Sequence, residues 1–529
     1  MLGSQLPFVL FVASAAYVTP ACAHSRAADI VTLELLGRYE THVFDRSAAE
    51  IAAYDRATRR LFVVDALSAS ILALDIHDPS KPTVLFRTDL SAYGAGVNSV
   101  AVSSWGQRPW VAAAVEGPTP VSPGSVVLMD MDGNVQGVVE VGVLPDMLCF
   151  TPDGRFIVTA DEGQPMPDYS QDPEGTVSII AVPRPGQALT QDAVRTVDFR
   201  GLRAEDLDPS IIISGPGASV AQDLEPEYVA ISPDSRTAWV ALQENNAIVE
   251  IDIRRARINR IFGLGFKDHN VEGQGLDASD RDGQIRIRPW PVFGMYQPDA
   301  IAVYEVDGQT YIVTANEGDA RTYRGFDDTA RVKDLTLDTS TFPNAGELQK
   351  DENLGRLLVS RVLGDENGDG RHEALYAFGA RSMSIFRTDG TLVYDSGDLM
   401  ERTIAQREPV FFNSNHTRNS FDNRSDDKGP EPEGVALGEI DGRTYAFVGA
   451  ERQSGIFIFD ITRPQSTTLV GYSSSRDFSA EPASGRGGDL GPEGVLFIAA
   501  NDSPTGEPLL VVAYEVSGTV AIYRVVVAP

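Results

Sequence analysis

One pattern recurs seven times along this chain: an acidic residue or Asn, a short apolar strand, a turn, a second apolar strand, and a closing Asp or Glu. Glu50-Ile-Ala-Ala-Tyr54 precedes Arg60-Leu-Phe-Val-Val-Asp65, and Asn98-Ser-Val-Ala-Val102 precedes Trp110-Val-Ala-Ala-Ala-Val-Glu116. Pro145-Asp-Met-Leu-Cys-Phe150 precedes Arg155-Phe-Ile-Val-Thr-Ala-Asp-Glu162, and Pro226-Glu-Tyr-Val-Ala-Ile231 precedes Ala238-Trp-Val-Ala-Leu-Gln-Glu244. The other copies begin at Pro298-Asp299, Pro432-Glu433 and Pro492-Glu493 and close at Glu317, Glu451 and Glu515. Internal repetition outranks length, which for 529 residues would suggest about three domains. No repeat has a 3.6-residue apolar period, so helix-pair solenoids are excluded. Turns such as Thr151-Pro-Asp-Gly154 and third strands such as Gly455-Ile-Phe-Ile-Phe-Asp460 make each unit an antiparallel sheet. Such units stacked radially form an all-β propeller, with WD- or YVTN-like repeats.

The repeats average about 68 residues, against roughly 40–45 for a compact blade. The excess falls in insertions near 199–224, 263–296, 319–355 and 398–430. Val31 to Arg38 has no partner of its own and is expected to close the ring as an outer strand of the last blade. Residues 355–396 hold four short apolar runs that form an eighth blade or complete the one begun at Asp299. They lack the leading acid, which favours seven blades over eight. The expected organisation is a leader, 1–23, and a single propeller domain, 24–529.

The leader carries no charge, has an apolar stretch from Leu6 to Ala13, and closes with Ala21-Cys22-Ala23, the pattern of a secretory signal. Export to the periplasm or the extracellular space follows, with no membrane span elsewhere. The chain has 44 basic and 75 acidic residues, a net charge of −31, which disfavours nucleic acid and anionic membranes as partners. Beyond the leader Cys149 stands alone, so no intrachain disulfide or Cys-based zinc site can form. A monomer is expected.

Each repeat places one acid at the start of its innermost strand and another at the end of its second strand. Antiparallel pairing brings both to the same rim. The first set is Glu50, Asp146, Glu227, Asp299, Glu433 and Glu493, with Asn98 substituting once; the second is Asp65, Glu116, Glu162, Glu244, Glu317, Glu451 and Glu515. Like charges so spaced repel, and a hard divalent cation, Ca²⁺ or Mg²⁺, relieves the repulsion. Solvated turn-capping carboxylates are the plainer alternative for any one of them. Asp365-Glu-Asn367-Gly-Asp369-Gly370, with Glu373 at the ninth position, has calcium-loop spacing, although Tyr376 stands where an EF-hand needs Glu. The dense run Asp422 to Glu433 adds Arg424, Asp426, Asp427 and Lys428, and the long insertions place His269 and His416 where they can reach over the mouth. No G-x-S-x-G, phosphate-binding P-loop or H-E-x-x-H is present.

Leu144-Pro-Asp-Met-Leu148, Thr314-Ala-Asn-Glu-Gly-Asp319, Phe378-Gly-Ala-Arg-Ser-Met-Ser-Ile385, Arg424-Ser-Asp-Asp-Lys-Gly-Pro-Glu-Pro-Glu-Gly434 and Gly488-Asp-Leu-Gly-Pro-Glu-Gly494 resemble the bacterial choice-of-anchor I domain, found also in echinoderm mesenchyme-specific cell-surface glycoproteins. The resemblance implies an exported propeller connected in animals with calcium biomineralisation; bacterial relatives are labelled alkaline-phosphatase-like. Three functions stand: a calcium-binding propeller holding an anionic or mineral ligand at its acidic rim, a calcium-dependent phosphoesterase, or an interaction scaffold with structural ions. The phosphoesterase needs Arg321, Arg381, Arg424 or Lys428 near the rim to hold phosphate.

Overall fold

Within each repeat the tight turns leave the backbone no option but antiparallel return. Thr151 Oγ1 accepts the amides of Arg155 at 3.2 Å and Phe156 at 3.1 Å, and Ser232 Oγ accepts those of Arg236 at 3.2 Å and Thr237 at 3.0 Å. These bonds pin the first hairpin of the third and fourth repeats. In a computed structural model, which describes residues 30–103, 109–184 and 186–528, the repeats build seven four-stranded antiparallel sheets.

The innermost strands, in ring order, are Ala52–Asp55, Val97–Val102, Pro145–Phe150, Pro226–Ile231, Ile301–Val306, Pro432–Ile440 and Pro492–Ile498. Each touches the next, and the seventh touches the first, so the ring is closed. Closure is completed as expected: Ile30–Glu40 pairs antiparallel with Thr519–Ala528, from Ile30 opposite Ala528 to Glu40 opposite Thr519. It joins the two ends of the described chain in blade seven, so the ring does not depend on packing alone.

The core lies between blades. Phe62, Val64 and Ile71 of blade one meet Val100, Val111 and Val127 of blade two, while Leu61, Val63 and Leu72 on the other face meet Val511 and Ile522 of blade seven. Each such side chain contributes about 1.5–3 kcal/mol by leaving water. Strands buried on both faces, such as Ser70–Asp75, are correspondingly continuous in apolar residues.

The segment between Gly355 and Ser396 is divided. Ser382–Arg387 and Leu392–Asp395 complete blade five beside Gln309–Asn316. Leu358–Ser360 and Tyr376–Ala377 instead join Phe266–Asp268, Phe293–Met295 and Thr329–Arg331 in a separate five-stranded sheet. That sheet has its own core of Trp290, Val292, Val332, Leu354 and Leu375. The ring therefore has seven blades, and the insertions at 263–296 and 319–355, with the strands that follow up to Ala377, form a lobe beside it. Among the described residues no helix is long and apolar enough to cross a membrane. The leader, 1–23, lies outside the described residues.

Candidate functional site

The mouth of the channel is built by the chain's entry into each inner strand. A proline opens four of these strands, where its missing N–H costs no ladder bond. The residue before the proline is left-handed in four blades: Leu144 at φ 51°, Gln297 at φ 41°, Glu431 at φ 55° and Gly491 at φ 69°. In three of these its carbonyl accepts the amide of the acid that closes the second strand: Glu162 to Leu144, Glu451 to Glu431 and Glu515 to Gly491, each at 2.9 Å. The strand register then slips across Asp146, Glu227, Glu433 and Glu493. Such a bulge re-aims a side chain, and in blade seven it sets the first acid, Glu493, beside the second, Glu515.

Oxygens from the two sets converge. Glu50, Glu493 and Glu515 form one group, Asp299, Glu317 and Glu433 another, and Glu162, Glu225 and Glu244 a third, with ligand atoms mutually within 4.8 Å in each. Glu451 joins His416 and Glu515 in a fourth group, and Glu317 and Glu431 in a fifth. Asp146 and Glu227 belong to none of these groups but feel the charges of Glu244 and its neighbours. Asp319 is exposed at the outer edge. Asp65 is taken up by Arg87.

Buried oxygens of Glu227, Glu244, Glu433 and Glu493 (Oε2 in each) accept no hydrogen bond. Enclosure by protein, reinforced by neighbouring carboxylates, pushes Glu50, Asp146 and Glu317 up to about 7 and Glu515 to about 8. Glu162, Glu227, Asp299, Glu433 and Glu493 are raised well above the usual carboxylate range by the same two causes. Unpartnered oxygens that repel one another are the electrostatic setting a hard cation fits.

Cations crowd one sector of the mouth. Lys428 Nζ is 2.6 Å from Glu317 and 3.0 Å from Glu431. Arg452 is 3.1 Å from Glu431 and 2.9 Å from Glu451, and Arg424 also binds Glu431. Burial alone would raise Glu431; Lys428, Arg424 and Arg452 hold it far below the usual range. Arg321, buried, reaches Asp223 at 3.1 Å and Glu225 at 3.2 Å beside the third group. His416 Nδ1 stands 2.9 Å from Glu451.

Other expected residues lie elsewhere. Arg381 is buried away from the carboxylate groups: it binds Glu401 at 2.8 Å and the carbonyls of Asp277, Ser425 and Asp427 at 2.7 Å each. It therefore props the loop that carries Lys428. Asp426 is held by Arg331 at 3.0 Å and Arg356 at 2.7 Å in the lobe. His269 bonds Gln274 at 2.6 Å within the lobe. The loop of Asp365, Asn367, Asp369 and Glu373 is an exposed turn on the lobe. Asp365 accepts the amides of Gly368, Asp369 and Gly370 at 2.8, 3.1 and 2.9 Å, and Glu373 accepts Asn367 Nδ2 at 2.7 Å.

Glu225 and Glu431 escape the two-set reading because they precede the proline. The tripeptide Glu-Pro-Glu, at 225–227 and again at 431–433, is the signal that finds both.

The chain matches the choice-of-anchor I domain over residues 50–464. Gigasin-3a of Magallana gigas is 34% identical over 191 residues, 34% of this chain and 66% of that protein. The mesenchyme-specific cell surface glycoprotein of Strongylocentrotus purpuratus is 27% identical over 285 residues, 47% of this chain and 36% of that protein. The chain thus spans less than two thirds of either relative. Among solved structures, Kuenenia stuttgartiensis hydrazine synthase aligns with a TM-score of 0.46 and 14% identity over 92% of this chain and 97% of that one. The β-propeller domain of Myceliophteria thermophila Cps50 (Swd1) aligns at 0.47 and 8% identity over 94% and 100%. With the family match extending over most of its length and the repeats closed into one ring, the chain belongs to the choice-of-anchor I domain family.

Proposed function

We propose that the mouth of the propeller binds calcium ions and, through them, an anionic or mineral ligand, in a protein that works outside the cell or at its surface. The observation that carries this reading is the set of carboxylate groups at the mouth, with buried oxygens of Glu244, Glu433 and Glu493 left without a donor. All-oxygen donors select hard cations over soft ones. An ion shared by three carboxylates keeps open positions for phosphate or carbonate oxygens. The surface setting rests on the cell-surface relative and on the secretory pattern of the leader. The loop from Asp365 to Glu373 is proposed to hold one further Ca²⁺, on its spacing and on the wound turn its carboxylates already form.

The test is calorimetric titration of Ca²⁺ into chelator-treated protein, followed by inorganic phosphate. Calcium binding that Glu433→Gln weakens, and phosphate binding that requires calcium, are expected. Phosphate binding that is the same with and without calcium refutes the bridging role. Calcium binding with no anion response leaves the scaffold with structural ions as the function.

A calcium-dependent phosphoesterase is the second reading, favoured by Lys428 and Arg452 standing among the same carboxylates. Both cations are already paired, which weakens them as phosphate holders. Calcium-stimulated hydrolysis of p-nitrophenyl phosphate that is lost in Glu433→Gln selects this reading.

A further inference from the structure

The third carboxylate group at the mouth is roofed. Glu162, Glu225 and Glu244 are 5%, 2% and 6% exposed, whereas Glu50, Glu493 and Glu515 are only half-buried. Two loops root at the third group. Residues 163–175 follow Glu162 and lead into the third strand of blade three, and residues 319–328 follow the second strand of blade five. Arg321, near the start of the latter, reaches Asp223 at 3.1 Å and Glu225 at 3.2 Å.

The two loops clasp each other. The Gly325 amide donates to the Pro167 carbonyl at 2.8 Å, and Arg324 lies 3.5 Å from Asp168. Tyr169 packs edge-on against Tyr323 and Phe326, with ring centroids 5.6 and 5.9 Å apart. Tyr323 and Phe326 sit on a hairpin of two-residue strands, Thr322–Tyr323 and Phe326–Asp327. Gly325 permits the approach, since a Cβ there would stand 2.8 Å from the carbonyl carbon of Asp168. Burial, and then the charges of Glu225, Glu244 and Glu162, push the Tyr323 phenol well up, as befits a ring seated beside the group.

Inside, the pairing is incomplete. Arg321 is shared between Asp223 and Glu225, and among the described residues no ion pair reaches Glu162 or Glu244. One Glu162 oxygen accepts Gln164 Nε2, while Glu244 Oε2 is buried and accepts no hydrogen bond. One oxygen each of Glu162, Glu225 and Glu244 lies within 4.8 Å of the other two. A buried charged acceptor left without a donor is costly. Two unpaired carboxylates whose oxygens converge with a third suit one hard divalent ion.

We propose that Glu162, Glu225 and Glu244 hold one calcium ion in an occluded site, closed by the clasp of Tyr169, Tyr323 and Phe326. This rests on the calcium reading of the mouth and divides its ions by their route of exchange. Glu50, Glu493 and Glu515, half-buried, trade an ion directly with solvent. Release from beneath the clasp waits until the two loops part. Their contacts are few and partly exposed, so they open locally while the ring stays folded. The occluded ion fastens loops of blades three and five to blade four, and the exchangeable ions are left to meet an anionic ligand.

The experiment loads the full chain with Ca²⁺, removes free ion by gel filtration, and mixes the protein with excess fluorescent chelator in stopped flow. Release in two phases is expected, with one slow equivalent per chain. Glu244→Gln is expected to lose the slow equivalent and keep the fast phase. Gly325→Val, at an exposed loop tip, wedges the loops apart; it is expected to keep the calcium count and speed the slow phase about tenfold. Phe326→Ala, which removes one ring of the clasp, is expected to do the same. The competing occupant is a proton shared between Glu225 and Glu244. In that case Glu244→Gln keeps the full calcium count, which overturns the proposal; should that variant not fold, Glu162→Gln carries the same expectation and the same refutation. A parent that releases all its calcium in the fast phase overturns occlusion and leaves the calcium reading of the mouth standing. A parent that binds no calcium removes both. A slow phase unchanged in Gly325→Val and Phe326→Ala overturns the clasp.

Discussion

Lys428 Nζ lies 2.6 Å from the Glu317 carboxylate, tying the loop that enters blade six to the end of the second strand of blade five. Glu431, 3.0 Å from the same ammonium, is fully buried. Removing one partner of a buried ion pair leaves the other charge uncompensated, at about 3–5 kcal/mol. Lys428→Met is therefore expected to lower unfolding free energy by about 3 kcal/mol in denaturant titrations. Added Ca²⁺ should restore part of that loss by neutralising Glu317. A variant as stable as the parent in chelator would show that the pair contributes nothing.

The mouth also sets a pH dependence. Glu50, Asp146 and Glu317 hold protons up to about 7 and Glu515 up to about 8 in the folded chain. Unfolded, the same groups release them near pH 4. Between these limits the folded state binds more protons, so stability falls as pH rises. Below that window Glu431, held low by its three cations, loses its contribution as it protonates. Chelator-treated protein should melt highest near pH 5 and progressively lower toward pH 8. With Ca²⁺ present the decline should flatten, because the ion replaces the protons. Parallel curves with and without calcium would contradict this.

Close approach of the inner strands predicts an intolerant glycine. A Cβ on Gly494 would stand 2.3 Å from the Glu50 carbonyl of the adjoining blade, and one on Gly434 2.0 Å from that of Glu493. Gly494→Ala should cost about 2–3 kcal/mol, as overpacked sites do. Gly201→Ala, where a Cβ meets nothing within 4 Å, should be near neutral in the same thermal melts.

The propeller was legible because each blade repeats the same period-2 strands around the same acid, and redundancy makes each copy confirm the others. The lobe was not, because its strands are too short to show a period: Tyr376–Ala377 has two residues and Leu358–Ser360 three. At the mouth, acids on strand ends could be placed by antiparallel pairing alone. Arg381 could not, since its partners, from Asp277 to Asp427, are brought to it by the insertions. Asp426 sits two residues from Lys428, yet it turns to Arg331 and Arg356 in the lobe. In an irregular loop, nearness in sequence does not decide which way a side chain faces.

The exposed loop at Asp365 yields a prediction separable from the mouth. Asp369 accepts the Arg371 amide at 2.9 Å, and its own amide bonds Asn367 at 3.0 Å. Asp369→Ala should lower the bound calcium by one and depress the melting temperature in calcium buffer. In chelator the variant should differ from the parent by about 1 kcal/mol at most, the worth of an exposed turn bond. An unchanged calcium count removes the ion from this loop.

Glu433 and Glu493 test whether the mouth is used or merely tolerated. They occupy equivalent places in adjacent blades, and each has a buried Oε2 without a hydrogen-bond donor. Burial raises both; Glu451, Glu317 and Glu493 add repulsion at Glu433, and Glu50, Glu515 and Asp299 add it at Glu493. A neutral amide of the same shape removes that repulsion while keeping the packing, so Glu433→Gln with Glu493→Gln should stabilise the chelator-treated chain by about 1–3 kcal/mol. The same change takes one ligand from each of two carboxylate groups, so calcium affinity at the mouth should fall at least tenfold, about 1.4 kcal/mol. Opposite signs in the two media are the signature of a site whose ligands are held in a costly arrangement for an ion. If the double variant gains stability equally in both, with calcium binding intact, the acids around the channel are a repelling surface that the ring carries without using.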